Sequence, residues 1–299
     1  MAVGISFILC VLIWGSTWYA IELQLGVVAT EWSLFYRFAI AAIIMFAISL
    51  FRHQKLLIPL KNHKWMIGTG LSLFSGCYAL TYAGTQYLTS GLVAITFSLL
   101  SFLNILNARI FLKNPIQPNM LFAALIGILG LILIFMPEIR SLDLSDETTV
   151  GLLLCIGATV IASIGNTLAG MPQSKQIPLL SFNAWSMFYG AVALLIYALM
   201  SGHPMTIDPR APYILSLLHL SIAGTVIAFT MYVWLIGNIG LGRTAYIAVL
   251  VPIVALVIST IYEDFIWSTE AMFGMALVIG GNIALIKRKR IPQAIAVVD

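Results

Sequence analysis

Residues 119–136 read NMLFAALIGILGLILIFM, eighteen residues with no charge and Asn119 at the edge as the one strongly polar side chain. The apolar side chains surround the helix axis instead of marking one face, a pattern suited to a large core or a bilayer. Roughly 20 such residues cross a hydrocarbon layer of about 30 Å. Nine further runs have the same character, at 3–21, 32–51, 65–84, 89–108, 150–170, 181–200, 212–236, 243–262 and 270–286. The 299-residue chain is 61% hydrophobic and 9% charged, with a mean hydropathy of +1.03. Soluble domains hold about 45–50% apolar and about 25% charged residues. The composition excludes a soluble enzyme and a disordered chain. It also argues against a nucleic-acid binder, because the bases behind the net +4 lie in short connectors between apolar runs. Cys10, Cys77 and Cys155 sit within apolar runs at no metal-ligand or redox spacing and read as buried small residues. The first run reads as a span and not a cleavable signal, since Trp14, Trp18 and Tyr19 stand where small residues are needed.

The expected fold is therefore an all-α membrane protein of ten transmembrane helices. Cytoplasmic connectors collect Lys and Arg, which sets the orientation. With the N-terminus inside, twelve bases fall on inner connectors and the tail: Arg52, Lys55, Lys61, Lys64, Arg109, Lys113, Lys175, Arg243 and Lys287 to Arg290. Only Arg140 and Arg210 fall outside, with every acid except Asp299. A missed span would scramble this sorting, so it supports ten spans with both termini inside.

The two halves also resemble each other. Trp32-Ser33-Leu34-Phe35-Tyr36 opens the second span and Trp185-Ser186-Met187-Phe188-Tyr189 the seventh, while Gly91, Ala94 and Gly130 match Gly242, Ala245 and Gly281 at a constant spacing of 151. Five spans per copy make the second copy enter the membrane upside down, an arrangement suited to alternating access. The expected organisation is a five-helix repeat over 1–140, its inverted copy over 141–290 and a cytoplasmic tail over 291–299. A duplicated bundle without a transport role is the other reading.

Residues 3–286 resemble the EamA-type branch of the drug/metabolite transporter superfamily. The likeness rests on Leu12 to Thr17, Arg37 to Ala42, Gly242-Arg243-Thr244-Ala245, Pro252, Glu263 and Gly274 to Gly281. The first-half copy is degraded, with Ser101 in place of the proline and Leu112 to Asn114 in place of the acid. Within the superfamily the chain is most similar to YddG-like aromatic amino-acid exporters. The resemblance implies ten helices around a central cavity, with spans five and ten to one side, in a bacterial inner membrane.

Polar groups inside a membrane turn toward other helices or a wet cavity. Ser75, Tyr78, Tyr82 and Thr85 fall on one stripe of span three, and Thr159, Ser163 and Asn166 on one of span six. Span four carries Ser98, Ser101, Asn104 and Asn107, and span eight carries Ser221, Thr225 and Tyr232. The residues expected to touch substrate are Trp14, Thr17, Tyr78, Tyr82, Ser101, Ser163, Asn166, Tyr232 and Tyr246. Aromatic rings with neutral donors and acceptors suit an amphipathic solute. The competing reading makes the hydroxyls and amides interhelical glue, and places Trp32, Trp65, Trp185, Tyr213 and Trp267 in interfacial belts. Ala123 with Gly127, and Gly280 with Ala284, read as close-packing pairs, with a weak homodimer through spans five and ten as the alternative to a monomer. Gly91, Gly242 and Pro252 are candidate hinge positions.

No G-x-x-x-x-G-K-[S/T] motif occurs, which argues against direct use of ATP. Arg37 is the one charge well inside a span. It either snorkels to the outer surface, takes a structural partner or meets a substrate carboxylate. His219 is a candidate for a proton role or a hydrogen-bonded structural residue. No Asp or Glu falls deep in a span, which favours gradient-driven efflux over tight proton coupling. The functional expectation is an exporter of amino acids, aromatic ones included, needing neither cofactor nor metal. The alternatives are a drug or amphipathic-metabolite exporter and, from another class, a lipid-modifying membrane enzyme.

Overall fold

A computed structural model of the chain describes residues 2–88, 90–116, 118–140, 146–171, 174, 176–262 and 267–286. Asp143, Lys175, Glu263, Asp264, Lys287 to Arg290 and the 291–299 tail lie outside them. The described residues form ten long helical stretches, a short helix at Met136–Arg140, and no strand. The long stretches are α1 (Ala2–Glu22), α2 (Thr30–Phe51), α3 (Leu60–Leu71, Ser72–Gly76 and Cys77–Gly84 in succession), α4 (Ser90–Leu112) and α5 (Pro118–Ile134). Then follow α6 (Asp146–Gly170), α7 (Leu179–Met200), α8 (Ala211–Ser221, Ile222–Ile227 and Ala228–Ile239), α9 (Leu241–Thr244, then Ile247–Tyr262) and α10 (Thr269–Ile286). Among the described residues, seven stretches are long and apolar enough to cross a membrane: Ala2–Glu22, Thr30–Phe51, Ile95–Leu112, Glu147–Gly170, Leu179–Met200, Ala211–Ile239 and Leu241–Tyr262. Pro118–Ile134 and Thr269–Gly280 are shorter apolar helices.

The packing pairs follow a rule. α2 lies along α7 and α5 along α10; α4 packs on α6 and α9 on α1; α3 packs on α7 and α8 on α2; α3 also packs on α6 and α8 on α1. Exchanging the first five helices for the second five turns each of these pairs into itself or into another of them. The same exchange relates two wide π-turns. One occupies Ser72–Gly76 in α3 and the other Ile222–Ile227 in α8, and each starts on a residue, Ser72 or Ile222, with φ −84° and ψ −62°. Such turns redirect a helix and frequently mark functional sites. No hydrophobic period announces them, and the sequence reading passes over both.

The two largest clusters of the core lie on different helices. Leu34, Phe38, Phe74, Met187 and Phe229 pack among α2, α3, α7 and α8. Ile105, Ala124, Leu131, Tyr246, Val249 and Val278 pack among α4, α5, α9 and α10. The close approach of α5 to α10 runs through residues other than the expected small pairs. A Cβ on Gly130 would meet the Gly274 carbonyl at 2.6 Å, whereas Gly127 faces Val249 of α9 and Gly280 has nothing within 4 Å. α9 bends at an unexpected place as well. Its first turn, which holds Gly242, stops at Thr244, and a new helix starts at Ile247 and runs through Pro252. Gly91 lies in the first turn of α4.

Two of the expected belt residues are buried in protein. The 201–210 connector folds back over the start of α2, where Trp32 Nε1 donates to the His203 carbonyl at 3.0 Å and Ser33 Oγ and Tyr213 Oη are 3.0 Å apart. Trp32 is 3% exposed and Tyr213 1%. His203 Nδ1 meets Glu31 Oε1 at 2.5 Å. Arg210 hydrogen-bonds Asp208 through both its guanidinium and its backbone N–H, which holds the Asp208 carboxyl below the usual carboxylate range.

Gly274→Ala is expected to force α5 and α10 apart at the Gly130 backbone, an overpacking loss of about 1–3 kcal/mol. Gly280→Ala, facing open space, is expected to be neutral or to stabilise by up to about 1 kcal/mol. Unfolding of the two purified variants in detergent checks the contrast.

Candidate functional site

Arg37 sits in the eighth position of α2, where the side of α2 that packs on α8 carries it into the protein. It does not snorkel: the residue is 1% exposed. Its Nε donates to Thr225 Oγ1 at 3.0 Å, and Nη2 reaches Tyr78 Oη at 3.5 Å. The guanidinium carbon also lies 4.7 Å from the centre of the Tyr78 ring, in cation–π range. Thr225 belongs to the π-turn of α8, where its hydroxyl donates to the Leu220 carbonyl five residues back at 2.8 Å. That second bond fixes the hydroxyl so that its oxygen faces Arg37. Tyr82, one turn beyond Tyr78, is 5% exposed and lies within electrostatic reach of Arg37.

An aromatic wall follows. Trp14 of α1 donates from Nε1 to the Gly224 carbonyl, again on the π-turn, at 2.9 Å. Its ring lies 4.9 Å from Phe229 and 5.0 Å from Tyr232, centre to centre. Thr17 packs its methyl group against Gly224 and returns its hydroxyl to the Trp14 carbonyl at 2.7 Å. On the other side of Phe229 stands Phe74, 4.8 Å away, and Phe38 then links Phe74 to Tyr78.

Beyond Tyr232 lies a neutral polar cluster between α4 and α6. Ser163 donates to Asn104 Oδ1 at 2.9 Å and accepts from Asn107 Nδ2 at 2.8 Å, and Asn166 Nδ2 reaches Asn104 Oδ1 at 3.4 Å. Tyr232 is adjacent to Asn104. Asn104 Nδ2 and Asn166 Oδ1 are buried without a hydrogen-bond partner, as are Arg37 Nη1 and the Tyr82 hydroxyl. Buried polar groups are normally satisfied; open valences of the same kind also occur among the described residues at Gln24, Thr69, Asn183 and Ser186.

The expected residues divide accordingly. Trp14, Thr17, Tyr78, Tyr82, Ser163, Asn166 and Tyr232 form the two polar clusters and the wall between them. Ser101 is buried beside the amide cluster on α4, yet its hydroxyl donates to the Ser98 carbonyl of its own helix at 2.8 Å. Tyr246 is not brought to this region. It packs among Met120, Val249 and Ile105 and donates to the Met120 carbonyl, pinning α9 to the start of α5. The α9 break turns it that way. His219 Nε2 lies 3.0 Å from Ser16 Oγ, outside the aromatic wall. Thr85, last on the α3 stripe, is exposed at the helix end. Asn104 and Thr225 were visible on polar stripes, but nothing in their spacing marked them as the hubs of the clusters. A separate cleft of about 470 Å³ lies between the ends of α6 and α8 and the start of α7, lined by Gln176, Phe182, Trp234 and Asn238.

A helical bundle with spans of membrane length and a charged, aromatic and amide site in its interior is the architecture of a membrane transporter. Residues 2–136 and 149–287 each match the EamA-like transporter family, and the chain belongs to that family. It is 24% identical over 254 residues to the uncharacterised transporter YoaV of Bacillus subtilis, covering 85% of this chain and 86% of that one. It is 26% identical over 251 residues to the uncharacterised inner membrane transporter YedA of Escherichia coli K12, covering 83% and 79%. Protein PagO of Salmonella typhimurium is 22% identical over 289 residues, covering 96% and 94%. A solved crystal structure shares the fold at a TM-score of 0.78, with 18% identity over 95% of this chain and 96% of that one. Family and relatives point to a multi-pass membrane transporter for small molecules and away from an enzyme.

Tyr246→Phe is expected to cost about 0.5–1.5 kcal/mol of stability, the worth of one intramolecular hydrogen bond, and to leave solute selectivity unchanged. Parallel unfolding and transport measurements on the variant check both halves of this expectation.

Proposed function

We propose that this protein exports amphipathic solutes, amino acids and aromatic ones among them, from the bacterial cytoplasm across the inner membrane by alternating access. The observation that carries the reading is that both halves of the chain build the one buried site. α1, α2, α3 and α4 supply Trp14, Arg37, Tyr78 and Asn104, while α6 and α8 supply Ser163, Asn166, Thr225 and Tyr232. A site shared between halves opens to one side or the other when the halves rock. Ten spans, two inverted five-helix repeats at 1–140 and 141–290, and both termini inside complete the proposal. The exchangeable packing pairs, the matched π-turns and the two family matches support it.

In this orientation the 470 Å³ cleft at the ends of α6 and α8 lies on the cytoplasmic side. The 201–210 connector strapped across Trp32 and Tyr36 lies on the outer side. The Ala245–Tyr246 break and Pro252 give α9 two places to flex, and Gly242 of α9 with Gly91 of α4 is the matched pair of candidate hinges. Exchange down a solute gradient requires no ATP and no tight ion coupling, and the site serves a monomer or a weak homodimer through α5 and α10. The aromatic wall of Trp14, Phe229 and Tyr232 favours a second reading, export of drugs or other amphipathic metabolites.

Counterflow into proteoliposomes of radiolabelled tryptophan, threonine and a cationic dye separates the readings. Tryptophan uptake is expected, falling at least tenfold in Tyr78→Ala and Asn166→Ala. Unchanged kinetics in both variants would remove these residues from the site. Uphill transport on an imposed pH gradient alone would remove the uncoupled mechanism.

A further inference from the structure

We propose that Arg37 Nη1 and the Tyr82 hydroxyl together form the receptor for a carboxylate on the transported solute; this deepens the transport reading above and rests on it. Two of the three guanidinium nitrogens are already committed, Nε to Thr225 and Nη2 to Tyr78, with the Tyr78 ring beneath the plane. Those contacts hold the group in one orientation and leave Nη1 with no acceptor in the protein. The Tyr82 hydroxyl is buried close to the same guanidinium and makes no hydrogen bond within 3.5 Å.

Charge makes the demand sharper. An ionised side chain taken out of water is strongly disfavoured unless an opposite charge or a full set of hydrogen bonds compensates it. Among the described residues no carboxylate lies within 4.0 Å of Arg37, and the ion pairs are Arg140 with Glu270, His203 with Glu31 and Arg210 with Asp208. Arginine does not relieve the cost by losing its proton. The compensating anion therefore arrives with the solute. Nη1 carries two N–H groups and Tyr82 one O–H, donors that suit the two oxygens of a carboxylate. The apolar part of the solute then meets the rings that continue from Tyr78 through Phe38 and Phe74 to Phe229 and Trp14. A cationic amphiphile faces repulsion from the same guanidinium. The selected class is the aromatic or aliphatic carboxylate, zwitterionic amino acids included, and not the cationic drug.

The test compares two probes of nearly equal shape, indole-3-acetate and the neutral indole-3-acetamide, by calorimetric titration of the purified full-length protein in detergent. The acetate is expected to bind at least tenfold more tightly. Arg37→Gln is expected to abolish that preference, and Arg37→Lys to keep part of it, because lysine retains the charge but not the planar fork. Tyr82→Phe removes a hydroxyl with no protein partner, so the fold is expected to survive while acetate affinity drops three- to tenfold. This variant decides the matter if Arg37→Gln does not fold. Equal affinities for the two probes, no binding of the acetate, or an unchanged preference in Tyr82→Phe overturns the proposal. A retained preference without tryptophan counterflow removes the transport reading and leaves the carboxylate site. Equal counterflow of tryptophan and tryptamine does the reverse.

Discussion

A guanidinium enclosed in low dielectric is among the most expensive groups a helical bundle can bury, and the polar interior of this protein is arranged around one. The π-turn of α8 presents the Thr225 hydroxyl to Arg37. The same turn presents the Gly224 carbonyl to the Trp14 indole. Trp14 in turn sets the position of Tyr232 against the amide cluster. Arg37, the π-turn, Trp14 and the Asn104 hub thus form a connected series across α2, α8, α1 and α4. Each member is held by a hydrogen bond or ring contact with the next.

The two halves share packing pairs but not their chemistry. In the aligned segments that open α2 and α7, Tyr36-Arg37 corresponds to Tyr189-Gly190. Both positions touch the π-turn of the opposite half. Arg37 reaches Thr225 with a charged side chain, whereas Gly190 comes so close that a Cβ would meet that of Phe74 at 2.6 Å. On one side a charged side chain meets the turn; on the other, helix backbone packs directly against it. The Arg37 and Gly190 positions are where the two otherwise similar contacts differ.

What the sequence made legible follows from the cost of exposing polar groups to lipid. Buried Ser163, Asn166, Tyr82 and Thr17 all lie within the protein, as their depth in apolar runs required. The stripe argument gave direction but not partners. Ser101 lies at the same depth and satisfies itself on its own helix. Tyr246 shares the composition of a lining residue, yet the break at Ala245 turns it toward Met120. Trp32 and Tyr213 look like belt residues because they are aromatic and near span ends. The folded-back connector encloses both, and no local pattern reports a contact between positions 32 and 203.

The sequence by itself determined that this is a bundle of membrane helices, because transfer of long uncharged segments from water depends on composition alone. It also located the residues that must avoid lipid, since helical phase and depth are properties of one segment. Only the tertiary structure decided which of those residues meet. Arg37 and Thr225 are 188 positions apart, and Trp14 and Gly224 are 210 apart. Their contacts depend on how α8 winds through its π-turn and on where α2 and α1 pack against it, long-range geometry that no helical period encodes.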